Sequence, residues 1–338
     1  MLYLTTRNNN DAFTAHHALH EQCGADGGRY VPFRLPVFNQ AEIDALADKT
    51  FGQIVAEMLN SFFSSRLNGW DVDCCIGRNA STLATMQHRI VLSVLWRNPA
   101  GKYDYIVKKL YKAVLGQEND AAEPSEWFKF AVQIAVMFAI YGQMRKAQEL
   151  DSEELFDVCV LANDFSTPMA AWYARKMGLP VGTIVCVCEN DSTIWDTIQR
   201  GTFNTIVADN NLKLGFERLV HATLGCDEVE KYRNKCEAKQ FYNMSEEDHN
   251  VLREGFFCSV VGQNRTQSLI NSVFRTNSYI FAPSTAVCFG GLQDYRAKTG
   301  ANKKTLLIAT DSPMSYASVI SDATGIPSDK LTEYTNYC

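Results

Sequence analysis

The sequence predicts an α/β protein with a small helical N-terminal domain over residues 1–80 and a larger α/β domain over 81–330. Short apolar runs at 156–161, 183–188 and 305–310 have the length and composition of buried strands. Helical segments separate these runs, and a strand–helix alternation of this kind predicts a mainly parallel sheet with right-handed crossovers. Before residue 80, apolar residues recur at helical spacing instead.

The N-terminal part is predicted to contain short helices and turns. Helical spacing covers 14–22, 40–47 and 51–62, and the glycine-rich stretch 24–28 breaks the chain after the first of these helices. Residues 30–33 are predicted to be extended, because the stretch is apolar and contains a proline.

The first half of the larger domain begins with a predicted strand at 90–96 and a helix over 103–115. A polar loop precedes a long helical region over 125–150. Helices are then predicted over 168–177 and 192–200, after the first and the second buried run.

The last third is predicted to be polar and helical to about residue 276. An apolar stretch at 279–282 follows, and then a helix over 285–298. The strand at 305–310 and a helix near 316–324 complete the order of elements.

Composition narrows the classes of partner. Of the 338 residues 46% are apolar, the net charge is −6, and no basic cluster is dense enough to follow a nucleic-acid backbone. The longest apolar stretch, 128–141, contains Lys129 and Gln133 and is too short to span a bilayer. With no signal peptide evident and 11 scattered cysteines predicted to be reduced, a cytoplasmic location is expected, away from membranes.

One helical stretch raises the question of a metal site. His16 and His20 lie four residues apart with Cys23 close by, and this spacing could present a metal-binding face. No fourth ligand is evident, and helix-surface histidines near a glycine-rich break are more often inert. No metal is therefore predicted.

Several motifs resemble threonine synthase, an enzyme that uses pyridoxal phosphate (PLP). Residues 3–7 read Tyr-x-Thr-Thr-Arg, residues 26–32 read Asp-Gly-Gly-Arg-Tyr-Val-Pro, and residues 174–180 read Ala-Arg-Lys-Met-Gly-Leu-Pro. The family has similar motifs in the same order. On these motifs the chain is identified as a shortened and degenerate member, which implies a remnant of the type II PLP fold, as in the tryptophan synthase β subunit.

The resemblance implies that the cofactor lysine is missing. The family pattern His-Gly-Pro-Thr-x-x-Phe-Lys-Asp aligns on Pro99 and Asp104 with a one-residue gap, and Tyr103 then stands at the lysine position. PLP chemistry needs an amine to form the Schiff base and to act as the base, and a phenol cannot replace it. Lys102 is the alternative amine if the loop shifts, although a reactive lysine needs a desolvating pocket.

The segment 161–168 aligns with the family's turn that binds the cofactor phosphate. The degenerate positions are Asn163, Asp164, Phe165, Ser166 and Thr167. Both family glycines are replaced, and Asp164 brings a carboxylate to the place of a phosphate. Two such charges 4 Å apart repel by about 1 kcal/mol even in bulk water. The simpler interpretation, which we favour, is that Ser166 or Thr167 caps the following helix.

Other family positions are also altered. Residues 310–316 resemble Thr-Ala-His-Pro-Ala-Lys-Phe, in which Thr310 has the residue type that contacts the pyridine nitrogen, while Ser312 and Ser315 replace the His and the Lys. The family's Ser-Gly-Asp-Thr-Gly motif has no counterpart, and only the loop 116–124 stands where most of the small mobile domain would be. Lys129-x-x-x-Gln133 corresponds to an Arg-x-x-x-Gln pair of the family.

Two functional hypotheses follow. The first is a pseudoenzyme without a cofactor that binds an unknown small molecule or protein on a threonine-synthase-like scaffold. The alternative is an active, PLP-dependent threonine synthase of amino-acid biosynthesis, a carbon–oxygen lyase that converts phosphohomoserine to threonine. That activity would require Lys102 to replace the family lysine.

Overall fold

The computed structural model describes residues 1–78, 80–95, 103–116, 123–189 and 193–335. The N-terminal elements, in chain order, are β1 (Leu2–Thr5), β2 (Asn8–Thr14), α1 (Ala15–His20), β3 (Tyr30–Pro32), α2 (Gln40–Asp44), α3 (Phe51–Phe63) and α4 (Gly69–Ile76), with a 3₁₀ turn at Ala45–Asp48. The predicted helices at 14–22, 40–47 and 51–62 correspond to α1, to α2 with the 3₁₀ turn, and to α3.

A small antiparallel sheet of order β2-β1-β3 accompanies these helices. Tyr3 in β1 is paired with Phe13 in β2 and with Pro32 in β3. Strands β1 and β2 were not predicted, and β2 is rich in asparagine and mostly exposed, so it lacks the apolar pattern of a strand. Its strand conformation is stabilised by pairing with β1 and not by an apolar pattern of its own.

The middle of the chain contains β4 (Thr82–Met86), β5 (Ile90–Val94), α5 (Tyr103–Leu115), α6 (Glu126–Lys146), β6 (Phe156–Leu161), α7 (Ser166–Lys176), β7 (Val181–Cys188) and α8 (Thr193–Arg200). The remainder contains β8 (Thr202–Asn204), α9 (Asn210–Leu224), α10 (Cys226–Glu237), β9 (Phe241–Asn243), α11 (Glu246–Leu252), β10 (Phe256–Val260), α12 (Gln263–Asn277), α13 (Pro283–Thr299), β11 (Thr305–Ala309), α14 (Ala317–Thr324) and α15 (Leu331–Thr335).

A six-stranded sheet of order β10-β7-β6-β11-β5-β4 forms the centre of the molecule. All neighbouring strands are parallel except β4 and β5. The three predicted strands β6, β7 and β11 are confirmed and are adjacent, with Val158 paired to both Ile184 and Leu306. The edge strands β4 and β10 were not predicted, and β10 lies in a stretch that was expected to be helical.

Helices cover both faces of this sheet. Val158 and Ile184 belong to the apolar core that contains α6 and α7, whereas Cys159 and Val185 belong to the core that contains α12 and α13. Alternate residues of a strand point to opposite faces, so the sheet is buried on both sides. This explains why the strands read as continuous apolar runs.

Helix α6 is buried along nearly its whole length between α3 and α7. It begins after Ser125, whose hydroxyl accepts the amide hydrogen bond of Phe128 at 3.0 Å. Helix α5 ends at Leu115 and α6 begins at Glu126, and this interval is too short for a further βαβ unit. Within the described residues, no helix combines the length and apolarity needed to cross a membrane.

Candidate functional site

The turn between β6 and α7 is organised by an internal carboxylate. Asp164 Oδ1 accepts hydrogen bonds from the Ser166 backbone amide at 2.8 Å and from the Ser166 hydroxyl at 2.5 Å. The expectation that Ser166 or Thr167 caps the helix is wrong, because both residues lie inside the first turn of α7 and Phe165 stands at the cap position without a side-chain cap. The carboxylate of Asp164 satisfies the exposed amide instead.

This turn does not fit a phosphate dianion as it is folded. The Ser166 amide already donates to Asp164, and the carboxylate adds a negative charge where the dianion would bind. Helix α9 also packs directly on the turn, since a Cβ added to Gly215 would lie 3.1 Å from the Phe165 backbone nitrogen. The ring of Phe165 is fully buried, 5.6 Å from that of Phe216.

A cavity of about 300 Å³ opens beside this turn, and we call it the cleft. It is bounded by α6, α7, α9 and the chain before β3, and its charged or amide side chains include Arg29, Glu126, Lys129, Gln133, Asp164 and Arg218. Of the six degenerate cofactor positions, Asp164, Phe165 and Ser166 line the cleft, whereas Asn163, Thr167 and Thr310 do not. The sequence analysis had singled out Lys129 and Gln133 but had not placed them in this site.

One carboxylate in the cleft is shared by two guanidinium groups. Glu126 Oε2 lies 3.0 Å from Arg29 Nε, and Glu126 Oε1 lies 3.3 Å from Arg218 Nη1. The Arg218 side chain is only 4% exposed and lies over the ring of Phe130, 4.7 Å from its centroid. Two largely buried guanidinium groups therefore share one carboxylate. With Lys129 and Asp164 included, three cations and two carboxylates line the cleft, so one positive charge is in excess.

Sequence reasoning missed Arg29, Glu126 and Arg218. A signal was available for Arg29, because it stands where the family motif Asp-Gly-Gly-Leu has leucine. An arginine in place of a leucine directly after the Asp-Gly-Gly turn introduces a charge that needs a partner if it is buried. The partner, Glu126, is far away in the chain, so no local spacing could have identified the pair.

Parts of this chain are similar in sequence to known proteins. Residues 2–79 match the family model described as threonine synthase N terminus. The human protein threonine synthase-like 1 is 22% identical over 193 residues, which cover 52% of this chain and 25% of that protein. Human threonine synthase-like 2 is 26% identical over 172 residues, covering 48% and 35%.

Two solved structures share the fold over most of the chain. PLP-bound threonine synthase from Brucella melitensis superposes with a TM-score of 0.82 and 16% identity, covering 96% of this chain and 92% of that one. Threonine synthase from yeast gives a TM-score of 0.80 at 12% identity, with coverage of 98% and 94%. The chain resembles threonine synthase in its N-terminal sequence and shares its fold. It spans only a quarter to about a third of the length of the curated relatives that it matches.

Of the candidate Schiff-base lysine, Lys102, and the tyrosine at the family's lysine position, Tyr103, the structure describes only a part. Lys102 and Pro99 lie outside the described residues, and so does the side chain of Tyr103. Helix α5 begins at Tyr103, as the sequence predicts. The role of these residues stays a prediction.

In the segment after β11, polar side chains form local hydrogen bonds. Thr310 is exposed, and the next residue, Asp311, accepts a hydrogen bond from the Ser284 hydroxyl at 2.7 Å. The Ser312 hydroxyl accepts the Met314 amide at 3.2 Å and caps a short 3₁₀ turn. These polar side chains stabilise turns here and do not line the cleft.

The described residues contain no group of three or more His, Cys, Asp or Glu side chains that could hold a metal ion. The His16 and His20 rings lie 4.2 Å apart by their centroids on α1. Burial and the neighbouring His16 lower the pKa of His20, which disfavours a second positive charge beside the first.

Three side chains of the cleft have polar groups without a partner in the part of the chain that the structure describes. Lys129 is exposed at the cleft, and its ammonium makes no hydrogen bond or ion pair with any described residue. Gln133 Oε1 and Arg218 Nε are buried and have no hydrogen-bond partner within the described chain. The Lys129 ammonium and Arg218 Nε are donors that carry positive charge, which favours a small anion, whereas Gln133 Oε1 is an acceptor that a donor group of the same ligand could satisfy.

Proposed function

We propose that this chain is a threonine-synthase-like scaffold without PLP chemistry, and that its cleft binds a small anionic ligand. The observation that carries the proposal is the pair of guanidinium groups, Arg29 and Arg218, that share the single carboxylate of Glu126. A carboxylate or phosphate group that binds to these guanidinium groups would balance the excess positive charge of the cleft. The resemblance to threonine synthase gives the scaffold but does not identify the ligand.

The absence of PLP chemistry has two independent supports. Asp164 takes the amide that a cofactor phosphate would need, and its charge opposes a dianion. In addition, the alignment with the family puts Tyr103 where the Schiff-base lysine belongs, and a phenol cannot form that linkage. Either change alone would weaken the cofactor site, and together they affect both of its attachment points.

The second candidate function is an active PLP-dependent threonine synthase that uses Lys102. Its support is the likeness of the fold to the PLP-bound enzyme from Brucella melitensis, with a TM-score of 0.82. The phosphohomoserine-to-threonine reaction would then need another binding site for the cofactor phosphate, because Asp164 takes the Ser166 amide in the turn where the family binds that phosphate.

Titration of the purified protein with PLP distinguishes the two functions. We expect no saturable aldimine absorbance band, and we expect borohydride reduction followed by peptide mapping to find no stoichiometric adduct on Lys102. The double variant Asp164→Asn/Ser166→Gly should remain inactive, because it restores space and an amide but no placed lysine. A saturable band that borohydride traps on Lys102 would overturn the proposal.

The anion-binding part of the proposal predicts a specific effect of Arg29→Leu. This change leaves Arg218 and Glu126 as a balanced pair, so folding should be nearly unaffected while the excess positive charge of the cleft is removed. The affinity for a small anion that binds in the cleft should fall by about tenfold, the value of one charge-assisted hydrogen bond. A thermal-shift screen with phosphate, malonate and phosphoserine measures this.

Arg34→Leu is the matched control, since it removes the same charge from an exposed residue outside the cleft. Anions that stabilise the wild type and Arg34→Leu alike but lose their effect on Arg29→Leu support the cleft as the site. If no anion of the screen stabilises the wild type, or if all three proteins respond equally, the anion-binding proposal is wrong.

A further inference from the structure

A second cavity, of about 350 Å³, adjoins the cleft at Leu214. It lies between α9, α10 and Arg7, which belongs to the turn between β1 and β2. Its charged or amide side chains are Arg7, Asn210, Lys213, Glu217, Arg233 and Glu237. None of these residues belongs to the degenerate cofactor positions. The second cavity is therefore a separate feature whose ligand chemistry can be considered by itself.

The floor of the second cavity is an ion pair that is already complete. Arg7 donates to Glu217 through Nε at 3.0 Å and through Nη2 at 2.9 Å, and the Thr6 hydroxyl donates to Glu217 Oε1 at 2.5 Å. The Glu217 side chain is only 3% exposed. Its negative charge is thus neutralised at short range and does not oppose an anion in the cavity.

Within the described ranges, two other cations of the second cavity, Lys213 and Arg233, are not held in a buried ion pair like that of Arg7. Lys213 is half-buried, and within the described chain its ammonium makes no hydrogen bond or ion pair. Among the described residues Arg233 forms an ion pair only with Glu237 on its own helix, at 3.4 Å, and such a partly exposed pair contributes little to stability. Tyr232 donates its hydroxyl to the Lys213 carbonyl and does not compete for a ligand.

We propose that the second cavity binds a small phosphate-class oxyanion through Lys213 and Arg233. Three cations and two carboxylates line it, so one positive charge is in excess. A tetrahedral oxyanion presents acceptors to an ammonium and a guanidinium at the same time, which is the chemistry these two side chains recognise. The Asn210 side-chain amide adds a neutral donor on the same wall.

Cys236 supplies a reporter inside the second cavity. Its thiol is half-buried on the wall, and burial is the main reason that its pKa is raised. An anion bound beside it would cover the thiol and disfavour its thiolate further. Cys74 on α4 is exposed and does not line the cavity, so it serves as an internal reference.

The experiment measures alkylation of Cys236 and Cys74 by N-ethylmaleimide in the full chain, by peptide mass spectrometry, with inorganic phosphate or with chloride at the same ionic strength. We expect phosphate, but not chloride, to slow alkylation of Cys236 several-fold and to leave Cys74 unchanged. Matching the ionic strength removes the general effect of screening.

The variant Lys213→Gln should raise the phosphate concentration for half-protection by about tenfold. Lys239→Gln, which removes the same charge from an exposed residue outside the cavity, should leave it unchanged. Arg233→Gln provides a second test if Lys213→Gln folds poorly. Protection that chloride reproduces, or that persists in both Lys213→Gln and Arg233→Gln, would overturn the proposal, and the result is independent of ligand binding in the cleft.

Discussion

Replacing Glu217 by glutamine is expected to lower the free energy of unfolding by about 3 kcal/mol, because it leaves the Arg7 guanidinium without its counter-charge. Glu217 is almost fully buried and accepts hydrogen bonds from Arg7 and Thr6, which join the N-terminal sheet to α9. A guanidinium is not deprotonated in proteins, so Arg7 stays charged in the variant and cannot relieve the loss by losing a proton. Urea unfolding followed by circular dichroism measures the change.

The control is Glu237→Gln, which makes the same substitution in an exposed pair on α10 and should change the stability by less than about 0.5 kcal/mol. The double variant Arg7→Met/Glu217→Leu should recover most of the loss, since removing both charges leaves no unpaired ion. If Glu217→Gln is no more destabilising than Glu237→Gln, the buried pair does not join the two regions as described.

The central sheet could be predicted because its strands are buried on both faces. The runs at 156–161, 183–188 and 305–310 are apolar without alternation, and β6 has the predicted bounds. The strands that were not predicted lie at the edges of the central sheet, in the N-terminal sheet, or in the two-stranded sheet of β8 and β9. Strand β4 is half-exposed, so its residues follow no burial pattern that the sequence could reveal.

The candidate site could be predicted in position but not in its interactions. Motif order located a turn at 163–167 between a strand and a helix, and the structure has a turn there that ends at Phe165, because α7 already begins at Ser166. The sequence predicted that the charge of Asp164 opposes a phosphate, and the hydrogen bonds from Ser166 show that its carboxylate also satisfies the turn. The contact of Glu126 with Arg29 and Arg218 joins three distant parts of the chain, and such contacts follow from packing rather than from spacing.

Replacing Trp127 by alanine is expected to lower the free energy of unfolding by about 3–5 kcal/mol, the usual cost of deleting a buried aromatic side chain. Trp127 is 1% exposed, and its indole donates a hydrogen bond to the Tyr3 hydroxyl at 3.1 Å. The ring also makes an edge contact with Phe62 at 5.7 Å and lies under Arg218 at 5.6 Å.

Trp127 therefore connects β1, α3 and α6, and it supports the guanidinium that faces the cleft. Trp70→Ala is the matched control, because Trp70 is 67% exposed and should cost less than about 0.5 kcal/mol. Trp127→Phe should fall between the two, since it keeps a ring in the core but leaves the Tyr3 hydroxyl without its donor. Urea unfolding of the three variants orders these costs. Equal stability of Trp127→Ala and Trp70→Ala would mean that Trp127 does not have this central place in the core.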